Sequence, residues 1–309
     1  MDFFASHPET PRDKESIVPA DPGHAFLSRQ VESSRVFFFD EEKAEPGFEV
    51  RCGGLEHCRA DYRIDRESFP WFLLEFVQGG RGTLQLGEQE VALKPGVFFL
   101  YGPGIPHHIT TDPEKPLVKY FAGFTGPGAA AFLERHDLQP GMVSQCLKIE
   151  PIRRAFDTLI DRGSRNAPYS RPLATAIVQQ LLLMCREDAV DADSTDTRAF
   201  ATFSRVKEHI ERHFLTLPSL EAIAMACELD APYICRLFAR FHDESPYQFL
   251  TRLRMQHAAT LLLEEGATVK EAARATGFPD PFHFSRVFKS IHRVPPSRFR
   301  QAIHAKQPR

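Results

Sequence analysis

No run of apolar residues in this sequence is long enough to cross a bilayer. The longest, such as Ile177–Cys185 with two Gln inside it, fall well short of the roughly 20 residues a spanning helix needs. Cysteine is scarce and scattered. Cys52, Cys58, Cys146, Cys185, Cys227 and Cys235 include no CxxC pair, a pattern that suits reduced thiols in a cytosol and not a disulfide framework. The chain opens with no basic residue before Arg12 and no apolar stretch behind it, so the pattern of a secretory signal is missing. A cytoplasmic location with no membrane partner is expected. No residue type is in excess either: 42% hydrophobic and 26% charged exclude a fibre and a fully disordered chain. The 309 residues suffice for two domains, each with its own core.

What is present is an asymmetry of charge. Residues 1–198 carry 22 Lys and Arg against 30 Asp and Glu, whereas residues 199–309 carry 16 against 11. A basic half joined to an acidic half points the basic half toward a polyanion. The pattern of elements changes along the chain as well. Residues 1–30, Pro-rich and of mixed charge, read as a mobile arm. From there to residue 126, short apolar or alternating runs at Val36–Phe39, Trp71–Val77, Thr83–Leu86, Val97–Tyr101 and Leu117–Phe124 read as strands. Turns such as Gly79-Gly80-Arg81-Gly82, Lys94-Pro95-Gly96 and Gly102-Pro103-Gly104 separate them, which predicts a sandwich or small barrel over 31–126. Ile152–Ile160 and Leu173–Cys185 then recur at helical spacing, giving a helical segment over 127–190. In it Ile177, Val178, Leu181, Leu182 and Met184 form an apolar band, available either to the barrel or to a second chain. The acidic, aperiodic run that follows predicts a linker over 191–198.

The basic half repeats itself at a period of about fifty residues. Ser219–Leu229 matches Thr268–Phe278 at an offset of 49, then Cys235–Phe238 matches Ser285–Phe288 at an offset of 50. Each copy reads as a helix-turn-helix. Ser219 and Thr268 are N-caps, and Thr268 with Glu271 makes a capping box. Gly277 suits a positive φ at the turn, while Pro232 and Pro281 suit the first turn of the next helix. Ile234, Leu237 and Phe238, and in the second copy Phe284, Val287 and Phe288, face inward. The opposite faces carry Tyr233, Arg236 and Arg240, then Phe282, Ser285, Arg286 and Lys289. These are the candidate DNA-binding residues, since Arg donates in pairs to guanine or phosphate and Lys meets phosphate as a point charge.

The run Glu271–Lys289, with Pro295-Pro296 and Phe299-Arg300, resembles the C-terminal signature of the AraC family of transcription regulators. The resemblance covers about residues 200–303. It implies an all-α DNA-binding domain over 199–305 with two helix-turn-helix units joined by a long helix, here Pro246–Glu264, each unit entering one of two successive major-groove segments. Glu228, Asp243 and Arg293 stand where the family often has Gly, so strain or a different turn is expected there. Asp230 and Asp243 bring negative charge near the first copy, which predicts weaker DNA binding by that copy.

Lys94–His108 and Gly79–Leu86 resemble two strand-turn blocks of cupin barrels, found as sensing domains in AraC relatives. The fold expected is therefore α+β: a cupin-like barrel with following helices, then the helical domain. Trp71, Glu75, Phe99, Tyr101 and His107 are the candidate ligand-binding residues, with Phe76 and Phe121 as further apolar walls. His57, Cys58, Glu75, His107 and His108 are candidate metal ligands by residue type. Adjacent His107 and His108 would point to opposite faces of a strand, and no metal or other cofactor is expected. The function expected is sequence-specific, ligand-responsive regulation of transcription and not an enzymatic one. Its expected partners are double-stranded promoter DNA, a small-molecule effector, a second copy of the chain in a homodimer, and RNA polymerase. The alternatives are a cupin metalloenzyme with a partner-binding helical tail, and an architectural DNA binder without a ligand.

Overall fold

A computed structural model describes residues 30–40, 47–165, 167–190, 195–264 and 266–299. Two sheets face each other in the N-terminal half. The larger has the order β1 (Val31–Phe38), β2 (Glu49–Cys58), β9 (Val118–Thr125), β4 (Phe72–Gly79), β7 (Val97–Tyr101), β10 (Val143–Cys146), β11 (Ala189–Val190). The smaller is β3 (Arg63–Arg66), β8 (His107–Thr111), β5 (Gly82–Leu86), β6 (Gln89–Leu93). Helices α1 (Pro127–Arg135), α2 (Ile149–Gly163) and α3 (Ser170–Glu187) belong to the same half, with α2 and α3 against the outer face of the larger sheet.

Period-two alternation sorts the central strands between two cores. Leu74, Phe76, Phe98, Leu100, Tyr120, Ala122 and Phe124 join the core under the helices. Their neighbours Leu73, Val77, Val97, Phe99, Tyr101 and Phe121 join the core between the sheets. Phe76, expected as a pocket wall, therefore lies on the helix side against Phe156, 6.2 Å between ring centroids. The apolar band of α3 goes the same way: Val178, Leu181 and Leu182 are fully buried on the sheet, and Ile177 and Met184 pack beside them.

Several elements depart from the sequence reading. Strand β2, which is not among the runs read as strands, carries Gly53-Gly54. A Cβ on Gly53 would lie 2.8 Å from the Phe37 ring and one on Gly54 2.6 Å from Val36, so these glycines admit close packing within a strand. Strands β10 and β11 lie in the segment expected to be helical. Of the expected linker over 191–198, residues 195–198 are the first turn of α4 (Thr195–His213), and 191–194 fall outside the described residues. The expected arm over 1–30 falls outside them too, except Gln30. Among the described residues no helix is long and apolar enough to cross a membrane.

The C-terminal half continues with α5 (Leu220–Cys227), α6 (Ala231–Phe241), α7 (Pro246–Leu263), α8 (Val269–Ala275) and α9 (Pro281–His292). Ser219 and Thr268 cap α5 and α8, and the Thr268–Glu271 box forms. Helices α4–α6 close one core around Phe203, Val206, Ile234 and Phe238. A separate core holds Ala272, Phe284 and Phe288. The long α7 supplies Phe249 and Leu250 to the first and Met255, Ala258 and Leu262 to the second. Glu228 (φ 56°) and Arg293 (φ 63°) adopt the left-handed conformation at helix ends, whereas Asp243 does not. Non-glycine residues are strained there by roughly 1 kcal/mol, partly offset by the greater unfolded freedom of Gly. Glu228→Gly and Arg293→Gly are each expected to stabilise the chain by about 0.5–1 kcal/mol, read by urea unfolding. A loss of stability would show that the side chains hold their turns through contacts.

Candidate nucleic-acid interface and barrel site

Helices α6 and α9 start alike. The Asp230 carboxylate accepts from the Tyr233 amide (2.9 Å), and that of Asp280 from the amides of Phe282 (2.9 Å) and His283 (3.1 Å). Each cap satisfies N–H groups that the helix leaves open and favours the positive end of its dipole. Ile234 and Phe238 on α6, and Phe284 and Phe288 on α9, anchor the inner faces. Arg236, Arg240, Arg286 and Lys289 are left exposed on the outer faces. Phe282 is 82% exposed, while Tyr233 and Ser285 are half-buried. The Ser285 hydroxyl donates to the Pro281 carbonyl (2.8 Å). Residues 282, 285, 286 and 289 follow helical spacing, as do 233, 236 and 240, so each set lies on one side of its helix. Cys235 and His283 share these exposed faces and were missed by the sequence reading. The 50-residue offset pairs Cys235 with Ser285, which was the available signal.

The two copies differ less in charge than the sequence suggested. Asp230 has a counterpart in Asp280, so it does not distinguish them. Asp243 is engaged by Arg154 of α2. A different contact does distinguish them: Arg240 of α6 pairs with Asp196 of α4 at 2.6 Å.

Inside the barrel, three buried charged residues meet. Lys119 Nζ of β9 lies 2.8 Å from Glu75 of β4 and 3.0 Å from Glu56 of β2. The Tyr101 hydroxyl donates to Glu75 (2.7 Å), and Lys119 lies over the rings of Tyr62 and Phe121 at 5.4 and 5.9 Å. Burial opposes the charge on Lys119, but the two carboxylates outweigh it and hold its pKa well above the ordinary lysine value. Burial also pushes the Cys52 and Cys58 thiols up to about 12, which leaves both protonated and unreactive. A cavity of about 20 Å³ adjoins the cluster, with Glu56, Tyr62, Arg66, Glu75, Tyr101 and Lys119 in its wall. That is room for about one water molecule.

Of the expected ligand residues, Glu75 and Tyr101 line the cavity. Phe99 packs beside Tyr101 (6.1 Å), and the His107 ring lies 4.0 Å from that of Tyr101. Trp71 meets Phe69 edge-on at 5.9 Å and is outside the cavity wall. His107 Nδ1 is 3.1 Å from the Ile105 carbonyl; a carbonyl only accepts, so this nitrogen carries the proton. Nε2 is then an acceptor, buried without a partner among the described residues, and burial lowers the ring's pKa. The residues weighed as metal ligands are dispersed. His57 is exposed, and His108 turns outward to Asp65 (2.8 Å). Among the described residues no three His, Cys, Asp or Glu side chains lie where they would hold a metal ion.

The barrel half touches the first helix-turn-helix unit directly. Lys115 Nζ reaches Glu208 of α4 at 2.5 Å, with Arg81 3.8 Å from the same carboxylate. The hydrogen bond from Lys115 is the main reason that the Glu208 pKa lies below the usual value. Leu147, ahead of α2, is buried in the unit's own core, with Ile149 and Val190 packed against it.

Comparison with known proteins gives a match to the AraC-like ligand binding domain over residues 53–182 and to a helix-turn-helix domain over 223–302. The raffinose operon transcriptional regulatory protein RafR of Pediococcus pentosaceus is 21% identical over 285 residues, covering 90% of this chain and 97% of that protein. The arabinose operon regulatory protein of Escherichia coli (strain K12) is 24% identical over 261 residues, 80% of this chain and 86% of that one. The HTH-type transcriptional regulator YijO of the same organism is 30% identical over 138 residues. That match spans about half of each protein, 45% of this chain and 49% of the relative.

Proposed function

The chain belongs to the AraC family of transcription regulators, and on that premise we propose that it reads promoter DNA through α6 and α9 and answers to a small molecule held in its barrel. The observation carrying the DNA reading is the repetition of one outward face on two similarly capped helices. Arg236 and Arg286 hold equivalent positions, from which a guanidinium serves guanine or phosphate. Tyr233 and Arg240 flank the first, and Phe282, Ser285 and Lys289 the second. The protein works in the cytoplasm, where its DNA lies, and regulates without catalysing a reaction. RNA polymerase is its further partner.

The effector site is the Glu56–Glu75–Lys119 cluster with Tyr101 and the adjoining aromatic walls, near Phe99, His107 and Trp71. Metabolites exceed the present cavity, so admitting one moves the wall strands. Such a ligand shifts the protein toward whichever state it prefers. A metabolite screen by thermal shift tests this directly. A compound that raises the melting midpoint of the wild type and not of Glu75→Gln supports the site. Equal shifts in both proteins would place the ligand elsewhere.

The effect travels through the direct contact as well as through the connecting segment. Lys115→Glu is expected to change DNA affinity and the effector response, and Lys115→Glu/Glu208→Lys to restore both. A double variant no better than the single would remove this pair from the route. Homodimerisation uses the face of α3 turned away from the barrel, where Leu173 and Leu183 are 42% and 40% exposed, together with Tyr169 just ahead of the helix (74%).

A further inference from the structure

We infer that Arg254 fixes the angle between the two DNA-reading helices, and with it the spacing of the DNA segments the protein accepts. The inference rests on the proposal that both units engage DNA at once.

Arg254 sits where α7 passes from one core to the other: Leu250 belongs to the first, Met255 to the second. The residue is 7% exposed. Nε donates to the Phe214 carbonyl (2.9 Å) and a terminal nitrogen to the Leu217 carbonyl (2.5 Å). Both acceptors lie in the turn between α4 and α5. The same guanidinium borders Gly277, where a Cβ would stand 3.5–3.7 Å from its atoms. Gly277 takes a φ of 78° in the turn from α8 to α9. One planar group therefore holds the turn of the first unit by two hydrogen bonds and borders the turn of the second.

Core filling does not call for a cation here, because burial alone disfavours it and lowers its pKa. Among the described residues no carboxylate pairs with it; carbonyl dipoles hold it. A fixed two-pronged donor locks orientation in a way that a flexible apolar chain of the same length does not. Beyond this group, the Phe214 ring meets His257 of α7 at 5.8 Å, which steadies the helix against the first turn without reaching the second.

Spacing is the property such a lock controls. One added base pair shifts a major-groove segment by about 3.4 Å and turns it by roughly 35°. A rigid pair of reading helices registers that change; a loosened pair adapts. The test uses the full chain and a site selected by the wild type from random-sequence DNA. Variants of this site carry one base pair inserted or removed between the two contacted segments. The wild type is expected to bind the altered sites roughly tenfold or more weakly. For Arg254→Met this ratio is expected to narrow to within about threefold, with Arg254→Lys in between. The ratio is taken within each protein, so a partly unfolded preparation weakens both measurements alike, and Arg254→Lys serves if Arg254→Met fails to fold. A ratio unchanged in both variants, or a wild type indifferent to spacing, would overturn the inference. A wild type that selects no sequence would instead overturn the DNA-reading proposal beneath it.

Discussion

Lys119→Met is expected to lower stability by about 3–5 kcal/mol, because it leaves Glu56 and Glu75 buried with no cation between them. All three residues are below 5% exposed, so water does not replace the lost partner. In a chain of this size the melting midpoint should fall by on the order of 10 °C. The triple variant Lys119→Met/Glu56→Gln/Glu75→Gln is expected to recover most of the loss, since it removes the stranded charges along with the ammonium. The pH dependence has a definite sign. The folded pKa of Lys119 is raised, so its contribution is present below the ordinary lysine pKa and disappears as pH climbs through the folded value. The wild type should therefore keep this contribution through neutral and mildly alkaline conditions. A Lys119→Met protein melting within a degree or two of the wild type would show that water enters the cluster, and the barrel site would lose its physical basis.

Arg286→Ala is expected to cost about 1–3 kcal/mol in binding to the preferred site, or roughly 5- to 150-fold, and to relax sequence choice at one base position. Lys289→Ala, removing a point charge, is expected to weaken all sequences alike and to reduce the salt slope by about one. Arg240→Ala should have the smaller effect in the first unit, because Asp196 already engages that guanidinium. Anisotropy titrations against the selected site and single-base variants of it separate these outcomes. If Arg286→Ala weakened every sequence equally, its contact would be to phosphate and not to a base.

The C-terminal half was legible because its signals are local. Caps at Ser219 and Thr268 and prolines in first turns each declare a helix start within a few residues, and the repeat declared the unit. The barrel was less so. Strands β4, β7 and β9 are apolar on both faces, so they read as strands while hiding which residues point into the barrel. That is why the sequence places Phe76 among the pocket walls and the fold places it under the helices. Strand β2 is not among the runs that read as strands; the role of its Gly53-Gly54 depends on Phe37 and Val36 of the strand beside it. Lys119 and Glu56 were missed although charges inside otherwise buried strands are a usable signal: Lys119 interrupts Val118–Phe124 much as Glu75 interrupts Phe72–Val77. Arg254 was not legible at all, since its acceptors lie 40 and 37 residues away in sequence and only folding assembles them.

The central claim, that two equivalent outward faces read DNA, is tested most directly by one titration. Wild type and Arg236→Ala/Arg286→Ala are titrated by fluorescence anisotropy against the selected site and against random DNA, at two salt concentrations. The wild type should prefer the selected site at both, and the double variant should bind the two DNAs with nearly equal, strongly salt-dependent affinity. A double variant that keeps the wild-type preference would contradict the account, because sequence would then be read by some other surface of the chain.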